Sequence, residues 1–182
     1  VVIDCGLMFP DEEMFGIDLV IPDVTYLKEN RHKVRAFLIT HAHEDHVGAL
    51  PYVLPEVPGV PVYASTLARG LLGNKIKEHK LHNNPLIALE PGDEIEIGPF
   101  TAVPFRIGHS IPDAMGIALR TPVGIVVHTG DFKFDHTPPD GRRADLGLIA
   151  EIGNRGVDFL LSDSTRAEKE GYTLSEATVG ES

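Results

Sequence analysis

The sequence predicts a layered α/β domain. Three observations carry that prediction. Short apolar runs recur along the chain between turn signals rich in Gly, Pro and Asp. A few segments only have helical spacing. The regular strand–helix alternation of a dinucleotide fold is absent, as is its Gly-rich phosphate loop.

Size and composition fit that class. A chain of 182 residues has room for one ordinary domain and hardly two. Apolar residues make up 42% and charged residues 24%, a globular balance. No apolar run has the length of a membrane span. Cys5 is the single cysteine, which excludes a disulfide framework and a cysteine-based zinc site and fits a reducing, cytoplasmic setting. The formal net charge of −11 argues against an extended nucleic-acid footprint within these residues.

In chain order, Val1-Val-Ile-Asp-Cys-Gly6 starts inside what reads as a buried strand, with no initiator Met and no targeting signal. It reads as the start of an interior piece of a longer chain. Residues 34–40 are nearly continuous in apolar character, as a strand covered on both faces would be. Residues 61–64 give a short strand. Residues 66–81 read as a helix capped by Thr66, with an apolar stripe of Leu67, Leu71, Leu72 and Ile76. Residues 86–89, then Pro91-Gly92-Asp93, then 94–97 read as strand, turn, strand. Further strands are expected at 101–107, 116–121 and 125–129, a turn at 121–124, a short helix at 145–154, and another buried strand at 159–161.

The densest polar stretch is His41-Ala-His-Glu-Asp-His46, with three histidines and two carboxylates in six residues. It follows the strand at 34–40 on a loop, and a helix is expected to begin after Gly48. Ligand sites collect on loops at the carboxyl ends of such strands. In extended backbone His41 and His43 point the same way and can grip one ion. Once the chain turns, Asp45 and His46 can be presented to a second position. Imidazole and carboxylate are the ligands zinc takes when thiolate is lacking. A solvated His-rich loop is the bland alternative, and four potential ligands at a strand–loop–helix junction argue against it.

Two further residues stand in similar settings. His109 follows the strand at 101–107, and Asp131 follows the strand at 125–129, each beside a glycine that lets the backbone turn. An aspartate there can bridge two metals. Asp4 ends an apolar run and reads as a group that orients a ligand histidine. Ser110 either contacts a phosphate or shapes a turn with Ile111-Pro112. The remaining histidines read as bland: His32 and His136 as solvated, His79 and His82 as helix-end residues, and His128 as structural.

This combination resembles the metallo-β-lactamase superfamily. Thr40-His-Ala-His-Glu-Asp-His46 is followed in order by Gly108-His-Ser110 and Thr129-Gly-Asp131. The flanking segments Asp4–Pro10, Gly16–Asp23, His109–Ala114, His128–Asp135 and Leu161–Tyr172 resemble its ribonuclease J group. The resemblance covers nearly the whole chain. It implies an αββα sandwich, here incomplete and holding the amino-terminal part of the domain over residues 1–175, with 176–182 starting the junction to an absent β-CASP domain. It implies two zinc ions per chain, one on His41, His43 and His109, the second on Asp45 and His46, with Asp131 bridging. Asp45 and His46 would also serve catalysis, Asp45 by orienting the attacking water. A further ligand histidine of the group lies beyond the β-CASP insertion, after this chain stops.

The activity implied is 5′-to-3′ exonuclease and endonuclease cleavage of RNA in transcript maturation and decay. RNA is the implied partner, in the cytoplasm, with no membrane and with a homo-oligomer for the full-length protein. The alternatives keep the site and change the substrate to DNA, precursor tRNA or a small thioester, or read the chain as an inactive metal-binding fragment. The isolated 182 residues are expected to show little or no activity.

Overall fold

Ala36 to Ile39 are wholly buried, and their backbone pairs on both sides. They lie in the first of two compact units, Val1–Leu89 and Glu90 onward, of a computed structural model that describes residues 1–179.

The first unit is a four-stranded, all-parallel sheet in chain order: β1 (Val2–Ile3), β2 (Phe37–Leu38), β3 (Val62–Ala64) and β4 (Leu86–Ala88). The regular ladder of β2 is shorter than the apolar run at 34–40 suggests. Its hydrogen bonding continues through Val2 N–H to Ala36 O and Ile39 N–H to Tyr63 O, both 2.9 Å. Burial of Phe37, Leu38 and Ile39 alike agrees with a strand covered on both faces. Phe37 and Ile39 pack with Val47, Leu50, Val53, Leu54, Val62 and Leu72.

Helices connect these strands. Two were not expected from the sequence as helices: α1 (Thr25–Glu29) and α2 (Glu44–Val47). The second half of the His-rich stretch is thus a helical turn that starts before Gly48. It is followed by α3 (Leu50–Val53). The longest helix, α4 (Thr66–Glu78), is capped by Ser65, whose Oγ accepts the Ala68 N–H, and not by Thr66. It stops three residues short of the expected end, because Lys80 takes a positive φ of 56° that no helix can continue. Its buried face is Ala68 and Leu72, while Leu67 and Leu71 are exposed, so the expected stripe was rotated.

The second unit is a five-stranded sheet, β5 (Ile95–Ile97), β6 (Phe100–Arg106), β7 (Met115–Thr121), β8 (Gly124–His128) and β9 (Phe159–Leu161), in that order. β5 to β8 are antiparallel and β9 is parallel to β8. The turn at Pro91–Asp93 forms as expected, but β4 and β5 belong to different sheets and do not make a hairpin. α5 (Leu146–Asn154) is capped by Asp145, which accepts the Leu148 N–H at 2.9 Å, and it covers Val103, Phe105, Ala118 and Val127. The expectation of a buried strand at 159–161 is corrected: Phe159 and Leu160 are about three-fifths exposed, because β9 lies at the edge of the order. α6 (Glu176–Val179) closes the described chain, and residues 180–182 of the expected junction lie outside the described residues.

Candidate metal centre

The first group of side chains is assembled by the close packing of residues 4–7 against α2. Cys5 N–H donates to His46 O (2.6 Å), Leu7 N–H to Glu44 O (3.1 Å), and Ala49 N–H to Cys5 O (3.0 Å). A Cβ on Gly6 would lie 1.5 Å from the Asp45 carbonyl oxygen, so only glycine fits this approach. A four-residue helix has little stability of its own. These bonds hold it.

Asp4 then organises the histidines. Its Oδ1 accepts the Thr40 N–H at 2.8 Å, and its Oδ2 accepts the Thr40 hydroxyl and the His46 Nδ1–H, each at 2.7 Å. Because the Thr40 hydroxyl proton goes to Asp4, its oxygen is left to accept from His41 Nδ1, 3.1 Å away. Both His41 and His46 therefore carry a proton on Nδ1, which leaves Nε2 as the nitrogen that can serve as a donor atom to a metal. One carboxylate sets two tautomers. The same carboxylate charge acts on Cys5, whose thiol is pushed up to about 12, first by burial and then by Asp4.

The donor atoms within this unit converge. His41 Nε2 and His43 Nδ1 stand 3.0 Å apart. Two nitrogens on one tetrahedral zinc, each ~2.0–2.1 Å from the ion, are separated by roughly 3.3 Å. His46 Nε2 lies 3.7 Å from Asp45 Oδ2, and Asp45 is the more exposed of the two. His41 is fully buried and His43 partly so. Imidazoles whose Nδ1 atoms are engaged by Thr40 and Asp4, beside the Asp45 carboxylate, are a donor set that suits a divalent cation.

The second unit brings His109 and Asp131 together. His109 Nε2 and Asp131 Oδ2 are 3.8 Å apart. Their loops are joined where Lys133 N–H donates to Gly108 O at 2.8 Å, and a Cβ on Gly108 would come within 2.7 Å of the Lys133 carbonyl. Gly130 turns the chain at φ 60°, and its N–H donates to His128 Nδ1 at 3.0 Å. That hydrogen bond gives His128 a structural task. Ser110 is exposed, beside His109 and near Asp113, around a small cavity. Of the other histidines, His32 and His136 are exposed, His79 is the C-cap of α4, and His82 lies beyond it.

One residue of this region escaped the sequence reading. Asp163 accepts the Phe132 N–H (3.4 Å) and the Thr165 N–H (2.7 Å), so it supports the backbone next to Asp131. Burial pushes its carboxyl up, but Thr165, Phe132 and the charge of His109 outweigh that and hold it below the usual range. The only signal in the sequence was its place just after the apolar run Phe159–Leu161, the setting that singled out Asp131.

Comparison with known proteins agrees with this architecture. A family model described as a β-lactamase superfamily domain matches residues 1–178. A ribonuclease J of Thermus thermophilus is 48% identical, with 98% of this chain aligned to 32% of its length. A ribonuclease J of Corynebacterium glutamicum is 42% identical, covering 98% of this chain and 25% of that protein. The chain thus spans about a third or less of these curated relatives. Among solved structures, a protein of unknown function from Enterococcus faecalis superposes with a TM-score of 0.63 at 17% identity, over 95% of this chain and 46% of that one. Two sheets with helices, the ordered His and Asp residues and a family match over almost the whole length lead to one conclusion: the chain belongs to the β-lactamase superfamily domain family and has the metallo-β-lactamase fold.

Proposed function

We propose that this chain is the amino-terminal part, over residues 1–175, of the catalytic domain of a zinc-dependent ribonuclease that hydrolyses RNA phosphodiester bonds. The observation that carries the reading is the 48% identity to a ribonuclease J across nearly the whole chain. The Asp4-ordered donor set supports it, because fixed Nε2 lone pairs are what a metal-dependent hydrolase needs from its histidines.

His41, His43 and His109 would hold one zinc, Asp45 and His46 the other, and Asp131 would bridge. A two-zinc centre supplies a water acidified toward neutral pH and a positive field for the phosphoryl oxygens. The residues of the chain do the rest. Asp45, with an exposed carboxylate, orients the attacking water, and His46 stands beside it with its proton held on the far nitrogen by Asp4. Ser110, exposed next to His109, contacts a substrate phosphate. The combined 5′-to-3′ exonuclease and endonuclease activity, the β-CASP domain after residue 182, a homo-oligomer and a cytoplasmic setting belong to the same proposal and rest on the family resemblance. No helix among the described residues is long and apolar enough to cross a membrane.

The test uses the full-length protein. His43→Ala and Asp131→Ala are expected to lower bound zinc and to reduce cleavage of a labelled RNA at least 100-fold, on the order of what losing a metal ligand does. Unchanged zinc content and cleavage in both variants would overturn the site. Turnover of a thioester in place of RNA by the wild type would overturn the substrate class.

A further inference from the structure

Beyond the ligand residues, the second unit contains a cluster of polar contacts that the proposed chemistry does not use. Asp135 Oδ2 accepts the Ser175 hydroxyl (2.9 Å) and the Glu176 N–H (2.8 Å), while its Oδ1 accepts the Thr137 N–H (2.9 Å). Lys133 Nζ donates to the Leu174 carbonyl (2.7 Å) and pairs with Glu176 Oε1 (2.5 Å). The lysine and glutamate side chains are only 18% and 26% exposed, so solvent screens this pair less than an ordinary surface pair. Residues 174–176 are tied in this way to a loop some forty positions earlier in the chain.

The same loop reaches the candidate ligands. Lys133 is two residues after Asp131, and its N–H donates to the carbonyl of Gly108, the residue before His109. Gly108 admits no side chain at that crossing. Lys133 therefore joins three segments: with its side chain the outgoing chain at 174–176, with its amide the His109 loop, and through two peptide units Asp131.

We infer that Lys133 and Asp135 are positioning residues, a clamp that registers the outgoing chain at residues 174–176 against the loops carrying His109 and Asp131. Loosening the outgoing chain frees both loops, and holding it fixes them. The placement of whatever follows α6 is thereby coupled to the spacing of two candidate ligands. The link to catalysis rests on the ribonuclease reading above, while the mechanical coupling stands without it.

Two amide protons read the clamp directly: that of Glu176, donated to Asp135, and that of Lys133, donated to Gly108. In the full-length protein, Lys133→Met and Asp135→Asn are each expected to speed hydrogen exchange of the Glu176 amide about tenfold, the size of one lost charge-assisted hydrogen bond. The Lys133 amide is expected to speed up as well in Asp135→Asn, although that substitution removes neither the donor nor the acceptor of its bond. Lys133→Arg is expected to restore slow exchange. Faster exchange at Glu176 with an unchanged Lys133 amide in Asp135→Asn would overturn the coupling, as would unchanged exchange at both. RNA cleavage supplies the second readout: at saturating zinc, kcat is expected to fall about tenfold in Lys133→Met with KM unchanged. A wild type that cleaves no RNA would refute the ribonuclease reading while leaving the exchange result to decide the clamp.

Discussion

The Nδ1–H of His46 is held 2.7 Å from Oδ2 of Asp4, and that carboxylate also receives the Thr40 hydroxyl that orders His41. A single acid thus decides which nitrogen two histidines present. Asp4→Asn removes its charge and one acceptor oxygen. Metal affinity, measured by competition with a chromophoric chelator, is expected to fall about 10–100-fold, the range for lost supporting groups at metal sites. Equal affinity in the variant would show that Asp4 does not orient the ligands.

Gly6→Ala is expected to destabilise the protein by about 3 kcal/mol or more, at the upper end of what overpacking does. The added methyl would meet the Asp45 carbonyl, which is backbone and has no flexible end to yield. The midpoint of denaturant unfolding measures it. Gly70→Ala serves as the control, because nothing lies within 4 Å of a Cβ there and helix propensity favours alanine.

Zinc is expected to raise the unfolding temperature of the wild-type protein, since a ligand that binds only the native state adds about 2.7 kcal/mol at 100 times its dissociation constant. A chelator should reverse the shift. His43→Ala should abolish most of it, because His43 Nδ1 faces His41 Nε2 at 3.0 Å.

Attachment of residues 174–176 is expected to be acid-sensitive. The Thr137 N–H, with those of Glu176 and the Ser175 hydroxyl, and the charge of Lys133, hold the Asp135 carboxyl below its usual range against the opposing effect of burial. A depressed carboxylate contributes stability that is present above its unfolded value, about 3.9, and is lost as pH falls through the folded value. Exchange of the Glu176 amide, corrected for intrinsic rate, should therefore quicken below about pH 4 in the wild type, but not in Asp135→Asn.

Cys5 is expected to resist alkylation at pH 8. Its thiol is buried and pushed up to about 12, so almost no thiolate forms. A thiol reagent should label it only after denaturation, at a rate at least 100-fold higher. Rapid labelling of the folded protein would contradict the packing of residues 4–7 against α2.

The sequence made some of this legible and hid the rest for physical reasons. The strands expected at 101–107, 116–121 and 125–129, found at 100–106, 115–121 and 124–128, were readable because short apolar runs stand between turn residues. The candidate ligand residues stood out because their types are rare and their spacing tight. The helical turn Glu44–Val47 was not, since four residues show no period and the turn is stabilised by Cys5 and Leu7 from far away in the chain. The exposure of β9 was not, because Phe159-Leu-Leu161 looks the same at the centre of a sheet as at its edge. Asp163 was missed because its partners, Phe132 and Thr165, are backbone amides that carry no sequence signature.

The bond between Asp4 and His46 spans 42 positions of the chain, and that between Asp4 and Thr40 spans 36. Such contacts form only after the entropy of closing the intervening loop has been lost, when β1 has already docked on β2. Before that docking, the contacts that set the tautomers of His41 and His46 are not made. Order among them arrives with the pairing of β1 and β2. A synthetic peptide of residues 41–46 would contain every histidine and carboxylate of the stretch and still bind metal weakly, because the residue that sorts their protons lies at position 4.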